Sequence, residues 1–132
     1  MESVIVAIDG QAAEKSLSIL VVDDTPSYLA VLVEALAGPG RIVTGADSVS
    51  RALPLVREQS FDLIVSDFSM PGLSGIDFLG IVRLLHPSQA FILSSADLPT
   101  DAALIAERND AWVIAKSDAL VELVALLEAT EE

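Results

Sequence analysis

The stretch Phe61-Asp62-Leu63-Ile64-Val65-Ser66-Asp67, followed at once by Phe68-Ser69-Met70-Pro71-Gly72, decides how this chain is read. A short run rich in branched side chains and closed by a Pro-Gly turn reads as a buried strand whose last residue points a carboxylate out of the sheet edge. A second run behaves alike, because Ile19-Leu20-Val21-Val22 is apolar throughout and stops at Asp23-Asp24-Thr25-Pro26. In an open parallel sheet, ligands bind beyond the carboxyl ends of the strands, where strand order reverses. Strands lie ~4.8 Å apart, so as neighbours these two bring Asp23, Asp24 and Asp67 within reach of a single ion.

The rest of the chain supplies the other elements in alternation. Pro26 followed by Leu29, Leu32, Val33 and Leu36 gives a helix that stops before Gly38-Pro39-Gly40, and Arg41 to Ala46 reads as a second strand. Asp47 or Ser48 caps a second helix bearing Val49, Ala52, Leu53 and Val56, with Pro54 expected to kink or shorten it. After the third strand, Phe61 to Asp67, Ser74-Gly75 opens a helix with Phe78, Ile81, Val82 and Leu85 on one side, ending at His86-Pro87. Ala90 to Ser94 is a fourth strand, Thr100 to Arg108 a short fourth helix, and Ala111 to Ala115 a fifth strand that ends at Lys116. Asp118 caps a last helix with Leu120, Leu123, Val124 and Leu127 on one face. Five strands alternating with five helices predict a doubly wound α/β fold: a parallel sheet in the order 2-1-3-4-5, with helices on both faces.

Composition narrows the function. The 132 residues suit one domain, and the 52% hydrophobic content suffices for a core on both sides of a sheet. The net charge of -13 and the scattered basic residues leave no patch for nucleic acid. The chain has no cysteine, no apolar run long enough to span a membrane and no positively charged leader, which together predict a soluble, cytoplasmic protein. Residues 1–16 form an N-terminal extension that includes the apolar run Val4 to Ile8, ahead of a domain spanning 17–132.

In that strand order the polar strand ends line up: Asp23 and Asp24, then Asp67, then Ser94-Ser95, then Lys116. Crowded carboxylates repel, and an all-oxygen ligand set suits magnesium, or manganese, better than zinc. This pattern resembles the receiver domain of two-component response regulators over residues 17 to about 129. The features that carry the resemblance are the acidic pair after Leu20-Val21-Val22, the run Asp67-x-x-Met70-Pro71-Gly72-x-x-Gly75, a small hydroxyl residue before Ala96, and Lys116.

The resemblance implies that Asp67 accepts a phosphoryl group from a histidine kinase or phosphotransfer protein, with Asp23, Asp24, Asp67 and Ser69 around the metal and Lys116 on the phosphoryl oxygens. The switch hydroxyl is then Ser94 or Ser95. Ser95 is favoured by the small residue after it, and by the same resemblance would draw the following loop inward. Similar proteins engage an output partner, or a second copy of themselves, through the fourth helix, fifth strand and fifth helix. The chain departs from the family at Val113, which stands where an aromatic residue is usual, with Trp112 one position earlier. Ser69 and Asp97 occupy positions that tune phosphoryl lifetime in similar proteins.

Blander readings compete with these. The acidic pair could cap the first helix, and Lys116 could be a solvated surface residue. With His86 as the only histidine, a Ser-His-Asp triad or a histidine metal site has little to stand on. A signalling phosphoacceptor, not an enzyme, is the leading expectation. The alternatives are a pseudo-receiver that binds partners without phosphorylation and a small magnesium-dependent aspartyl phosphatase. The haloacid-dehalogenase form of such a phosphatase needs Asp-x-Asp-x-Thr, where this chain has Asp23-Asp24-Thr25.

Overall fold

The computed structural model describes residues 16–97 and 99–129. Strands β1 (Leu17–Val22), β2 (Arg41–Ala46), β3 (Leu63–Asp67), β4 (Phe91–Ser95) and β5 (Trp112–Ala115) alternate with helices α1 (Pro26–Leu36), α2 (Val49–Glu58), α3 (Gly75–Leu85), α4 (Thr100–Arg108) and α5 (Ala119–Ala129). A single 3-10 turn, Lys116–Asp118, joins β5 to α5. All strand pairs are parallel, in the order β2-β1-β3-β4-β5. The expected doubly wound sheet is therefore the fold observed.

Successive strand side chains point to opposite faces, and this divides the core in two. On one face Leu17, Ile19, Val21, Leu63, Val65, Ile92 and Ile114 pack with Leu32 and Leu36 of α1 and Leu123, Leu126 and Leu127 of α5. On the other, Leu20, Val22, Ile64, Phe91 and Leu93 meet Val56 of α2, Phe78, Leu79 and Val82 of α3, and Ala106 of α4. Burial of each large aliphatic or aromatic side chain contributes roughly 1.5–3 kcal/mol. The three central strands are covered on both faces, which is why they read as continuous apolar runs.

Several boundaries differ from the sequence expectation. Strand β3 begins at Leu63, because Asp62 is occupied in a bracket: its N–H donates to the Ser18 carbonyl at 2.8 Å and its carboxylate accepts from the Ser18 N–H at 2.7 Å. That pair of bonds ties the start of β3 to β1. Strands β4 and β5 each start one residue later than expected, at Phe91 and Trp112, and β4 runs on to Ser95.

Pro54 does not shorten α2, which continues to Glu58 while Ala52 and Val56 stay fully buried. The missing N–H costs one helical bond, and the packing on either side of it holds the helix together. Leu79 and not Leu85 completes the buried stripe of α3, and Leu85 is exposed. Asp118 lies inside the 3-10 turn, so α5 grows directly out of that turn. The expected apolar run Val4 to Ile8 lies outside the described residues.

The connection from β3 to α3 sets the position of the site. Gly72 adopts φ +79, which its neighbours with a Cβ would resist. Ser74 then caps α3 in a reciprocal box: its hydroxyl accepts from the Asp77 N–H, and the Asp77 carboxylate accepts from the Ser74 N–H. Gly75 presses against the end of β3, where a Cβ would overlap the Asp67 backbone oxygen and lie 2.7 Å from Leu93 Cδ1. Gly75→Ala should therefore destabilise the protein by about 1–3 kcal/mol, the usual cost of overpacking. Urea unfolding of the two proteins measures this, and an unchanged midpoint would contradict it.

Candidate functional site

The chain leaves β1 for β2 on one side of the sheet and returns to β3 on the other, so the strand order reverses between β1 and β3. Val22 pairs with Ser66 in register, which puts Asp23 and Asp67 side by side immediately beyond. Oxygens of Asp23, Asp24 and Asp67 all lie within 4.8 Å of one another. Asp23 and Asp67 are buried, at 2% and 6% exposure, and Asp24 is half-buried.

Each oxygen of Asp23 has a separate task. Oδ1 accepts from the Thr25 N–H at 2.9 Å and shapes the turn into α1, whose N-cap is Thr25 and whose start has no side-chain cap, so the acidic pair does not cap the helix. Oδ2 lies 3.1 Å from Lys116 Nζ. The same ammonium donates to Asp67 Oδ2 at 3.2 Å. Lys116 is thus no solvated surface residue. The strand stops one residue before it, and from the first position of the 3-10 turn its side chain reaches across to both acids.

The electrostatics follow from crowding in a partly dry site. Burial pushes the Asp67 carboxyl up; the hydrogen bond from Lys116 opposes this, and the charge of Asp23 adds to it. Burial alone would lower the Lys116 ammonium, but the hydrogen bonds it donates to Asp23 and Asp67 outweigh this and leave the group raised. Three acids and one base leave the cluster with an excess of negative charge, which a divalent cation would balance. The donors are all oxygens on adjoining chain segments, the chemistry that magnesium prefers. Asp23, Asp24 and Asp67 are the only group of three or more such residues among the described ones.

The remaining expected residues line a cleft of about 440 Å³ over the cluster: Ser69, Ser95, Ala96 and Asp97 border it with Asp24, Thr25, Asp67, Phe68 and Lys116. Ser69 is exposed at the rim. Ser95 Oγ accepts from the Asp97 N–H at 3.1 Å. Ser94 does not border the cleft. It pairs with Asp67 across β3 and β4, and its hydroxyl is buried without a hydrogen-bond partner.

One residue of this site escaped the sequence reading. Tyr28, in the first turn of α1, lies under Lys116 with its ring centroid 4.8 Å from Nζ, and its hydroxyl donates to the Lys116 carbonyl at 3.3 Å. The available signal was the chain's lone tyrosine, four residues beyond the acidic pair and off the stripe of Leu29, Leu32 and Leu36.

A family model for the response regulator receiver domain matches residues 19–128. The chain belongs to the response regulator receiver domain family. The response regulator protein FleR of Pseudomonas aeruginosa is 32% identical over 111 residues, covering 81% of this chain and 24% of FleR, so the chain spans about a quarter of that relative. The structure of a response regulator receiver protein from Pseudomonas putida aligns with TM-score 0.80 at 23% identity, over 89% of this chain and 99% of that one. At that identity the likeness shows the fold. Response regulator TrrA of Thermotoga maritima, solved in complex with Mg2+-BeF, aligns with TM-score 0.70 at 31% identity, over 84% of this chain and 98% of that one. In this receiver domain no helix among the described residues is long and apolar enough to cross a membrane.

The raised Asp67 carboxyl makes a prediction about stability. A carboxyl whose folded pKa lies above its unfolded value disfavours folding while ionised, so stability rises as pH falls through the folded pKa and is fully regained below the unfolded value, ~3.9. Asp67→Asn should therefore melt higher than the wild type at pH 7 without divalent metal, and the gap should close in acid. Thermal unfolding at both pH values in a chelator measures it. A variant that melts lower at pH 7 would contradict this account.

Proposed function

We propose that the protein is the phosphoacceptor of a two-component relay, with Asp67 phosphorylated by a histidine kinase or phosphotransfer protein in a magnesium-dependent reaction. The observation that carries this reading is the Lys116 ammonium seated between Asp23 Oδ2 and Asp67 Oδ2 at the floor of an open cleft. An Asp67 oxygen attacks phosphorus, the bond from phosphorus to the donor imidazole breaks, and the imidazole leaves with the electron pair. Asp23, Asp24, Asp67 and Ser69 would hold the metal, and Lys116 would meet the phosphoryl oxygens. Bound magnesium, or manganese, would supply further charge neutralisation for the transferring group. Water attack later returns the carboxylate and inorganic phosphate. On this reading the protein is a signalling module and not an enzyme acting on a separate substrate.

Ser95 is the switch hydroxyl in this account, supported by its place on the cleft rim, whereas Ser94 lies away from it. Movement of Ser95 toward a phosphoryl oxygen would give up the bond from the Asp97 N–H and shift the loop into α4. The readout face is α4, β5 and α5, where Leu104, Val113 and Val121 are 46%, 45% and 74% exposed, and an output partner or a second copy would dock there. Residues 1–16 stand as an extension to a receiver of 17–132, acting in the cytoplasm without nucleic acid or membrane contact.

Intact mass after incubation with acetyl phosphate and magnesium tests the reading. One phosphoryl adduct should form, require magnesium, and be absent in Asp67→Asn. Lys116→Ala should slow its formation by about 100-fold, as expected for loss of a group that stabilises transition-state charge. Ser94→Ala should label like the wild type, and Ser95→Ala should not. No adduct under conditions that label another receiver would overturn the phosphoacceptor reading in favour of a pseudo-receiver, and turnover of added phosphate esters would favour a phosphatase.

A further inference from the structure

Lys116 is the member of the site supplied from the edge of the sheet. Asp23 and Asp67 extend from interior strands flanked on both sides, whereas Lys116 follows β5, a four-residue strand that among the described residues pairs only with β4. The 3-10 turn that begins at Lys116 has no side-chain cap at its start. Its ammonium is held by Asp23 and Asp67, and phosphorylation would remove one of those two partners, because an acyl phosphate leaves Asp67 without a carboxylate charge.

We propose that Tyr28 is a positioning residue that holds Lys116 over the acidic cluster through both its backbone and its ammonium, an inference that rests on the phosphoacceptor reading. Tyr28 is 88 residues away in sequence, yet its hydroxyl donates to the Lys116 carbonyl and its ring faces the Lys116 ammonium at 4.8 Å. The ring also packs against the core layer shared by α1 and α5, which fixes its orientation. Tyr28 stands in the first turn of α1, just after the turn that Asp23 Oδ1 organises, so one short segment sets both an acid and the support beneath the lysine. A ring face attracts a cation without offering an oxygen that competes with the phosphoryl group. Lys116 can therefore exchange Asp67 for a phosphoryl oxygen while Asp23 and the ring both stay in place.

The contact is tested without phosphorylation by NMR of protein carrying 13C-labelled lysine, which gives only two side-chain sets because the chain holds just Lys15 and Lys116. A Lys15→Arg variant assigns them. The ε-methylene of Lys116 should be shifted upfield by the ring current in the wild type and in Tyr28→Phe, and return to an ordinary lysine position in Tyr28→Leu, which keeps apolar bulk but no ring. Equal Lys116 shifts in wild type and Tyr28→Leu overturn the inference.

Initial rates of labelling by acetyl phosphate then measure the consequence. Tyr28→Leu should be slower by about five- to tenfold, the size of a partly desolvated cation–π contact expressed as a rate, with Tyr28→Phe between it and the wild type. In a Lys116→Ala background Tyr28→Leu should add nothing, an absence of further loss that damage to packing would not produce. A Tyr28→Leu protein that labels at the wild-type rate, or that loses as much in the Lys116→Ala background, overturns the positioning role. A wild type that never labels defeats the phosphoacceptor reading instead, and the NMR comparison still decides the contact.

Discussion

Repulsion among three carboxylates is the constraint on which this molecule turns. Two like charges ~4 Å apart at an effective dielectric of about 20 repel by about 4 kcal/mol, and Asp23, Asp24 and Asp67 lie within 4.8 Å of one another. No packing arrangement relieves that. Only positive charge does, and Lys116 supplies a single unit of it to two of the three acids. The site is thus built short of positive charge, and a divalent cation or a protonated Asp67 each reduces the deficit. Stability is given up at this edge of the sheet to keep three carboxylates together.

The sheet makes the cluster unavoidable. Asp62 locks the start of β3 to β1 with two bonds to Ser18, and the ladder then delivers Val22 opposite Ser66 with no freedom to slip. A slip of one residue would turn every side chain of β3 to the wrong face, exchanging Leu63 and Val65 for Ile64. Core packing thereby fixes the separation of two carboxylates at the far end of the strands. Gly75, pressed on the Asp67 carbonyl, fixes the exit of the chain from the same point. Two opposite ends of β3 are held by polar contacts, and the apolar middle keeps them in line.

The strand order, the five helices and the acids were legible because each rests on a local pattern: apolar runs that stop on a charge, and a repeat of three to four residues between them. Boundaries moved where a polar group had a nonlocal use, as at Asp62, whose partner is 44 residues away. Pro54 did not shorten its helix, because one lost helical bond is outweighed by the buried Ala52 and Val56 beside it. Leu85 was placed inside because periodicity alone cannot see that the last residue of α3 is left exposed. Tyr28 was invisible for a related reason. An aromatic residue off the apolar stripe carries no local sign that a lysine from the other end of the chain will settle on it.

The serine pair shows how much one register position decides. Ser94 and Ser95 have the same side chain, so composition and spacing leave two candidates. Adjacent residues on a strand point to opposite faces, so Ser94, in register with Asp67, shares its face, and Ser95 borders the cleft because it stands nearer the end of the strand. Ser94 is level with Asp67, and its buried hydroxyl, lacking a partner, is held by its neighbours at a cost of about 1–3 kcal/mol. Ser95 stands one step further out, where its oxygen already accepts an N–H from the loop that leads to α4. Its place ties the cleft rim to the loop that precedes α4.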